Sequence, residues 1–124
     1  MIRQPAHLST TDWLDLGCDH ALKFLIWASD FEIASNAAKW AHLAQMIREQ
    51  PIVGAAVRHQ CATETGIHEG GIYFRTELTV AAAFDDRTIW DVEAWEPLTL
   101  SPSLLSHCPC SDHGYIRGGK WVRA

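Results

Sequence analysis

Cys108-Pro109-Cys110-Ser111-Asp112-His113 concentrates three ligand-type side chains in one short stretch, and this cluster restricts the surrounding backbone more than any other part of the chain. Thiolate sulfur and imidazole nitrogen are the usual ligands of structural zinc, which takes four of them in a closed tetrahedron. The chain around such a cluster has to fold back on itself. Pro109 stiffens the turn and Gly114 permits a sharp exit from it. The Cys-x-Cys spacing is tighter than the common Cys-x2-Cys, and His107-x2-Cys110 offers a second spelling with the standard gap. The fourth ligand has to come from elsewhere. Cys61, in His59-Gln60-Cys61, is the first candidate, with His59 and His68 as alternatives. The expectation is a structural zinc site of Cys61, Cys108, Cys110 and His113, with iron as the other metal that a thiolate-rich set accepts. The competing reading is a set of idle or buried thiols. Cys18 reads as a small core residue of a helix.

The redox compartment bears on that choice. The segment Met1-Ile2-Arg3-Gln4-Pro5-Ala6-His7 lacks the apolar stretch of an export signal, and the run from Leu22 to Ala28 is short and interrupted by Lys23. A cytoplasmic protein without a membrane span is expected, and in a reducing compartment four cysteines argue for thiols or metal rather than disulfides.

The 124 residues fit a single domain, and 48% hydrophobic with 20% charged residues is globular rather than disordered composition. Ser9-x-x-Asp12 has the form of a helix-starting capping box, and Leu16, Leu22, Leu25 and Trp27 follow as in a buried helix that Gly17 weakens or splits. Ser29 to Glu32 repeats the capping pattern. Ile33, Ala37, Trp40, Ala41, Ala44 and Ile47 then share a face at helical spacing, until Pro51 stops the helix; residues 30–49 form this second helix. Beyond Pro51 the pattern turns to β. Ile52 to His59 reads as a strand, 63–71 as a loop, 72–95 as a hairpin with its turn at Asp85-Asp86-Arg87, and 115–122 as a tight hairpin around Gly118-Gly119. The predicted fold is α+β: N-terminal helices over about 9–49, packed on a small antiparallel sheet within a β-rich, metal-binding part over 52–124, with a zinc-stapled C-terminal hairpin.

Several activities are disfavoured. With a net charge of −5 and lysines and arginines scattered apart from Arg117, Lys120 and Arg123, general nucleic-acid binding is not expected. His68-Glu69-Gly70-Gly71 begins like a zinc-protease motif but has Ile72 where the second histidine belongs, and contiguous Ser111-Asp112-His113 cannot form a triad. Asp91, Glu93 and Glu96 around Trp90 and Trp95 read as a solvated strand face, or as a protein-binding surface. A nucleophilic Cys61 helped by His59 or His68 requires a lowered pKa and an open cleft.

The stretch Pro97-Leu98-Thr99-Leu100-Ser101-Pro102-Ser103-Leu104-Leu105, then the cysteines, then His113-Gly114-Tyr115-Ile116-Arg117-Gly118-Gly119-Lys120-Trp121-Val122, resembles the C-terminal end of a family of small uncharacterised phage and bacterial proteins, a domain of unknown function. Its members show a Ser-Pro-Ser-aliphatic segment, a cysteine pair, a His-Gly-aromatic-Ile turn and a Gly-x-Trp ending, and some occur beside bacterial ubiquitin-like conjugation genes. The resemblance covers about residues 96–122. It implies a metal site at Cys108 or His107, Cys110 and His113, and a phage or bacterial origin. This chain departs from the pattern in its cysteine spacing and in carrying Ser111 where a glycine is usual.

No recognisable catalytic set, an acidic charge and six tryptophans lead to a non-enzymatic protein-binding module, an accessory or phage-encoded modulator, as the expected function. The alternatives are a small metal- or cysteine-dependent hydrolase and a virion component.

Overall fold

The computed structural model describes residues 2–26, 41–60, 66–84, 89–105 and 113–124. The architecture of these residues is mostly β. Strands β1 (Leu14–Gly17), β2 (His20–Ile26), β3 (Ile52–Gln60), β4 (Ile67–Arg75), β5 (Ile89–Trp95) and β6 (Leu98–Ser101) lie in that order in one six-stranded sheet. A second sheet holds β7 (Leu104–Leu105), β8 (His113–Arg117) and β9 (Lys120–Arg123). Two short helices, α1 (Ala44–Glu49) and α2 (Glu77–Ala81), are the α-helical content of the described residues. The expected layer of N-terminal helices on a small antiparallel sheet is therefore corrected: residues 14–26 form a β-hairpin and the larger sheet organises the fold.

The local chemistry read as a helix start is present, but it closes a turn. Ser9 Oγ accepts hydrogen bonds from the backbone N–H groups of Thr11 and Asp12 and donates to Asp12 Oδ2. These are bonds that a capping serine or an isolated serine turn makes equally well. The chain then enters β1, Asp15 accepts from Gly17 N–H at 2.8 Å, and Gly17, Cys18 and Asp19 all take positive φ. Three left-handed residues in a row cannot continue a helix. They reverse the chain into β2, where His20, Leu22 and Phe24 are buried and Ala21, Lys23 and Leu25 are half-buried.

The helix expected over 30–49 is described from residue 41 onward. A 3-10 turn (Ala41–Leu43) leads into α1, which ends at Gln50, before Pro51, as the proline requires. Leu43 and Ile47 pack with Val53 and Leu78 in a small secondary cluster, while Ala41 is exposed. Residues 27–40 lie outside the described residues.

The strand after Pro51 forms as expected, but the hairpin over 72–95 does not. β4 begins at Ile67, inside the segment read as a loop, and pairs antiparallel with β3 in the register Gly54↔Tyr73 to Gln60↔Ile67. At Thr76 a helix starts instead of a strand continuing. Thr76 Oγ1 accepts from Thr79 N–H at 3.1 Å, and Thr79 Oγ1 accepts from Thr76 N–H at 2.8 Å, a reciprocal cap. The α2 connection then brings β5 alongside β4 in parallel, with Phe74 opposite Trp90.

The small sheet packs across both margins of the large one, β8 against β6 and β9 against β1. Gly119 N–H donates to Leu98 O at 2.8 Å across that seam. One main core results. It contains Leu22, Phe24, Phe74, Trp95 and Leu100 from the large sheet and Ile116 and Trp121 from the small one. Phe24, Phe74 and Trp95 meet in edge-on and tilted pairs with centroids 5.7 to 6.3 Å apart. Trp90 and Trp95, read above as flanking an acidic binding face, point their indole N–H groups to Ser103 O and Ile2 O, and Trp95 belongs to the core. The zinc-stapled hairpin is corrected in the same way. The expected turn at Gly118 and Gly119 forms with both φ positive, and the hairpin is fastened to the fold by burial of Ile116 and Trp121.

Candidate functional site

Two groups of side chains stand out, one inside the sheet and one outside it. On the inner face of the large sheet the register places His20 opposite His59, and His59 opposite His68. The three imidazoles form a row across β2, β3 and β4, with centroids 5.2 Å and 5.8 Å apart and planes inclined by 13° and 29°. Trp121 stacks on His20 at 4.0 Å, so the row reaches from the smaller sheet to β4. His20 and His59 are buried, at 4% and 6% exposure. The Nδ1–H of His20 donates to the carbonyl oxygen of Cys18 at 2.6 Å; since a carbonyl only accepts, this nitrogen carries a proton.

Sequence reasoning singled out His59 and His68, and the structure brings them together. It missed His20, which joins them through strand register, and Trp121, which joins through the packing of the small sheet on the large one. The lone pairs of an imidazole lie in the ring plane, so near-parallel stacked rings do not converge on a common metal position. Among the described residues no group of three or more His, Cys, Asp or Glu side chains is placed to hold a metal ion. Of the four expected zinc ligands, Cys61, Cys108 and Cys110 lie outside the described residues, as does His107. His113 is exposed at the start of β8, with its Nε2 2.7 Å from Ser103 Oγ. Cys18 is not the expected core residue but an exposed thiol in the β1–β2 turn.

A serine hydrogen-bonded to a histidine is part of a nucleophilic set. Among the described residues, however, no carboxylate is hydrogen-bonded to the His113 ring. The pair fastens β7 to β8, next to the main-chain pairing of Leu105 with His113.

The second group is the outward face of the small sheet. Because side chains alternate across a strand, Ile116 and Trp121 point into the core and their neighbours point out. The register sets Leu105 beside His113, Tyr115 beside Val122 and Arg117 beside Lys120. Leu105 is 52% and Val122 39% exposed. The Arg117 guanidinium lies over the Tyr115 ring, 4.0 Å from its centroid, and His113 stacks loosely on the other side of Tyr115 at 6.5 Å. The strand residues of this sheet include no aspartate or glutamate, in a chain that has 15 of them against 10 lysines and arginines.

Fold and surface together define a two-sheet β domain with an apolar, cationic outer face. None of the protein families, curated proteins or solved structures compared with the chain matches it. No described helix is long and apolar enough to cross a membrane.

Proposed function

We propose that the chain is a protein-binding module, an accessory protein of a bacterial cell or its phage acting in the cytoplasm, and that the outward face of β7–β9 is its contact surface. The observation that carries this reading is the exposure of Leu105, beside His113, and of Val122, beside Tyr115, on a sheet whose other face places Leu104, Ile116 and Trp121 in the core. Sheets with one buried face ordinarily turn polar side chains to water, and contiguous apolar exposure marks a site of interaction. The described tryptophans do not carry the reading: Trp95 and Trp121 are buried, and Trp13 and Trp90 are partly buried beneath Arg58 and beside Ser103.

Zinc at Cys61, Cys108, Cys110 and His113 belongs to the same proposal. It is supported by the donor types and by the contact of His113 Nε2 with Ser103. A ligating histidine ordinarily uses its second nitrogen in this way, which would leave Nδ1 for the metal.

The test is site-specific photo-crosslinking from position 105, with position 80 as control, since Val80 on α2 is similarly exposed at 48%. A partner captured from position 105, absent from position 80, and crosslinked again when both proteins are purified is the expected result. Identical adducts from both positions, or none from either, would refute the reading.

A further inference from the structure

The outer face of the small sheet differs in sign from the molecule that carries it, and this points to the chemistry of the partner. Resting on the binding-module reading above, we propose that this face docks an acidic segment of a partner protein that also carries apolar side chains.

Arg117 and Lys120 are directly paired across β8 and β9, so two cations stand side by side at one end of the face. Like charges opposite one another in a sheet cost free energy, and an anion seated between them removes that cost. No carboxylate on the strands of this sheet does so. The position of Arg117 over Tyr115 adds direction. The ring holds the guanidinium on this face, 4.0 Å from its centroid, and the planar fork of N–H donors matches a carboxylate in two-point fashion. Beyond that pair, Val122 beside Tyr115 and then Leu105 beside His113 offer exposed apolar area with no further lysine or arginine directed to this face. The complement is therefore a segment with carboxylates at one end and aliphatic side chains at the other.

A nucleic acid fits less well. Phosphate binding is favoured by an extended basic track, whereas this chain has a net charge of −5 and its cations on this face are confined to one end. Base stacking needs open aromatic faces, and Tyr115 already has Arg117 over one of them. The overall negative charge repels acidic chains that approach elsewhere, so this face both attracts and orients such a partner.

The experiment is fluorescence anisotropy of a labelled peptide of alternating glutamate and leucine, compared with a lysine–leucine counterpart and with oligothymidylate. The variants are Arg117→Glu/Lys120→Glu and, separately, Val122→Asp. All three positions are exposed, and circular dichroism checks that the variants are folded. Expected are binding of the acidic peptide that weakens with salt, a loss of roughly tenfold or more in each variant, and a gain of lysine–leucine binding in the charge-reversed double variant. Tighter binding of oligothymidylate than of the acidic peptide would overturn the inference, as would equal acidic-peptide binding by wild type and variants, or no binding. Should crosslinking from position 105 identify a partner whose contact segment is not acidic, this inference fails while the binding-module reading stands.

Discussion

Gly54 on β3 and Gly70 on β4 look equivalent in sequence, yet the structure gives opposite expectations for replacing them with alanine. A Cβ on Gly54 would overlap the main-chain oxygen of Ile72 and come within 3.0 Å of the Tyr73 Cα. Both atoms are backbone of the paired strand, held by the β3–β4 ladder, and cannot swing aside as a side chain would. Overpacking a well-packed core costs typically about 1–3 kcal/mol, and with an immovable neighbour the upper end applies, about 3 kcal/mol. At roughly 4 °C per kcal/mol for a domain of this size, Gly54→Ala should melt roughly 12 °C below wild type. A Cβ on Gly70 meets nothing within 4 Å, and its φ lies outside the left-handed region. Removing glycine from a strand restricts the unfolded chain, so Gly70→Ala should gain about 0.5–1 kcal/mol. Urea unfolding followed by tryptophan fluorescence gives both values, provided the denaturant slope is unchanged. Gly54→Ala within about 1 kcal/mol of wild type would show that β3 and β4 are not in this register.

Thr79 is fully buried, donates to Phe74 O at 2.6 Å and accepts from Thr76 N–H; Thr79→Val preserves shape and strands both groups, so urea unfolding should show a loss of about 2–3 kcal/mol. Leu78, also fully buried against Leu43, Ile47 and Val53, should cost about 2–4 kcal/mol as alanine, and a cost below about 1 kcal/mol would mean α2 is not seated there. The Glu49 carboxyl is held below the usual range, first by the hydrogen bond from Gln45 and then by Arg3. A depressed folded-state value means that its contribution is present above the ordinary carboxylate range and fades as pH falls through the lowered value; carboxyl-carbon NMR should show Glu49 titrating late in acid and returning toward normal in Gln45→Ala. Elemental analysis of untagged protein should find near-stoichiometric zinc that Cys110→Ser loses, and metal-free folded wild type would remove zinc from the proposal.

The C-terminal hairpin, the strand after Pro51 and the helix stop at Gln50 were legible because each rests on one short-range rule: paired glycines at positive φ, a β-branched run, a proline. The N-terminal half was misread for an equally physical reason. Ser9 makes the same backbone bonds in a turn as in a helix cap, and the outward positions of β2, Ala21 and Leu25, are themselves partly apolar, which hides the period-two alternation of His20, Leu22 and Phe24. The reciprocal threonine cap that ends β4 carries no glutamate or glutamine, the residues that make such a cap recognisable. For the candidate site, Arg117 and Lys120 were visible as a basic pair. Leu105, at the far end of the same face, was not, because only the pairing of β7 with β8 sets it beside His113. The row of histidines depends on two strand registers at once, and no local pattern encodes that.

The stack of Trp121 on His20 has a consequence for the newly made chain. The two rings are separated by about a hundred residues, which a ribosome adds in roughly 5–20 s. During that interval the first hairpin has no cover over His20, and the margins at β1 and β6 lack the β8–β9 hairpin that packs against them. These margins therefore gain their cover only when β9 arrives. A chain interrupted anywhere before Trp121 would display uncovered sheet margins to chaperones and proteases.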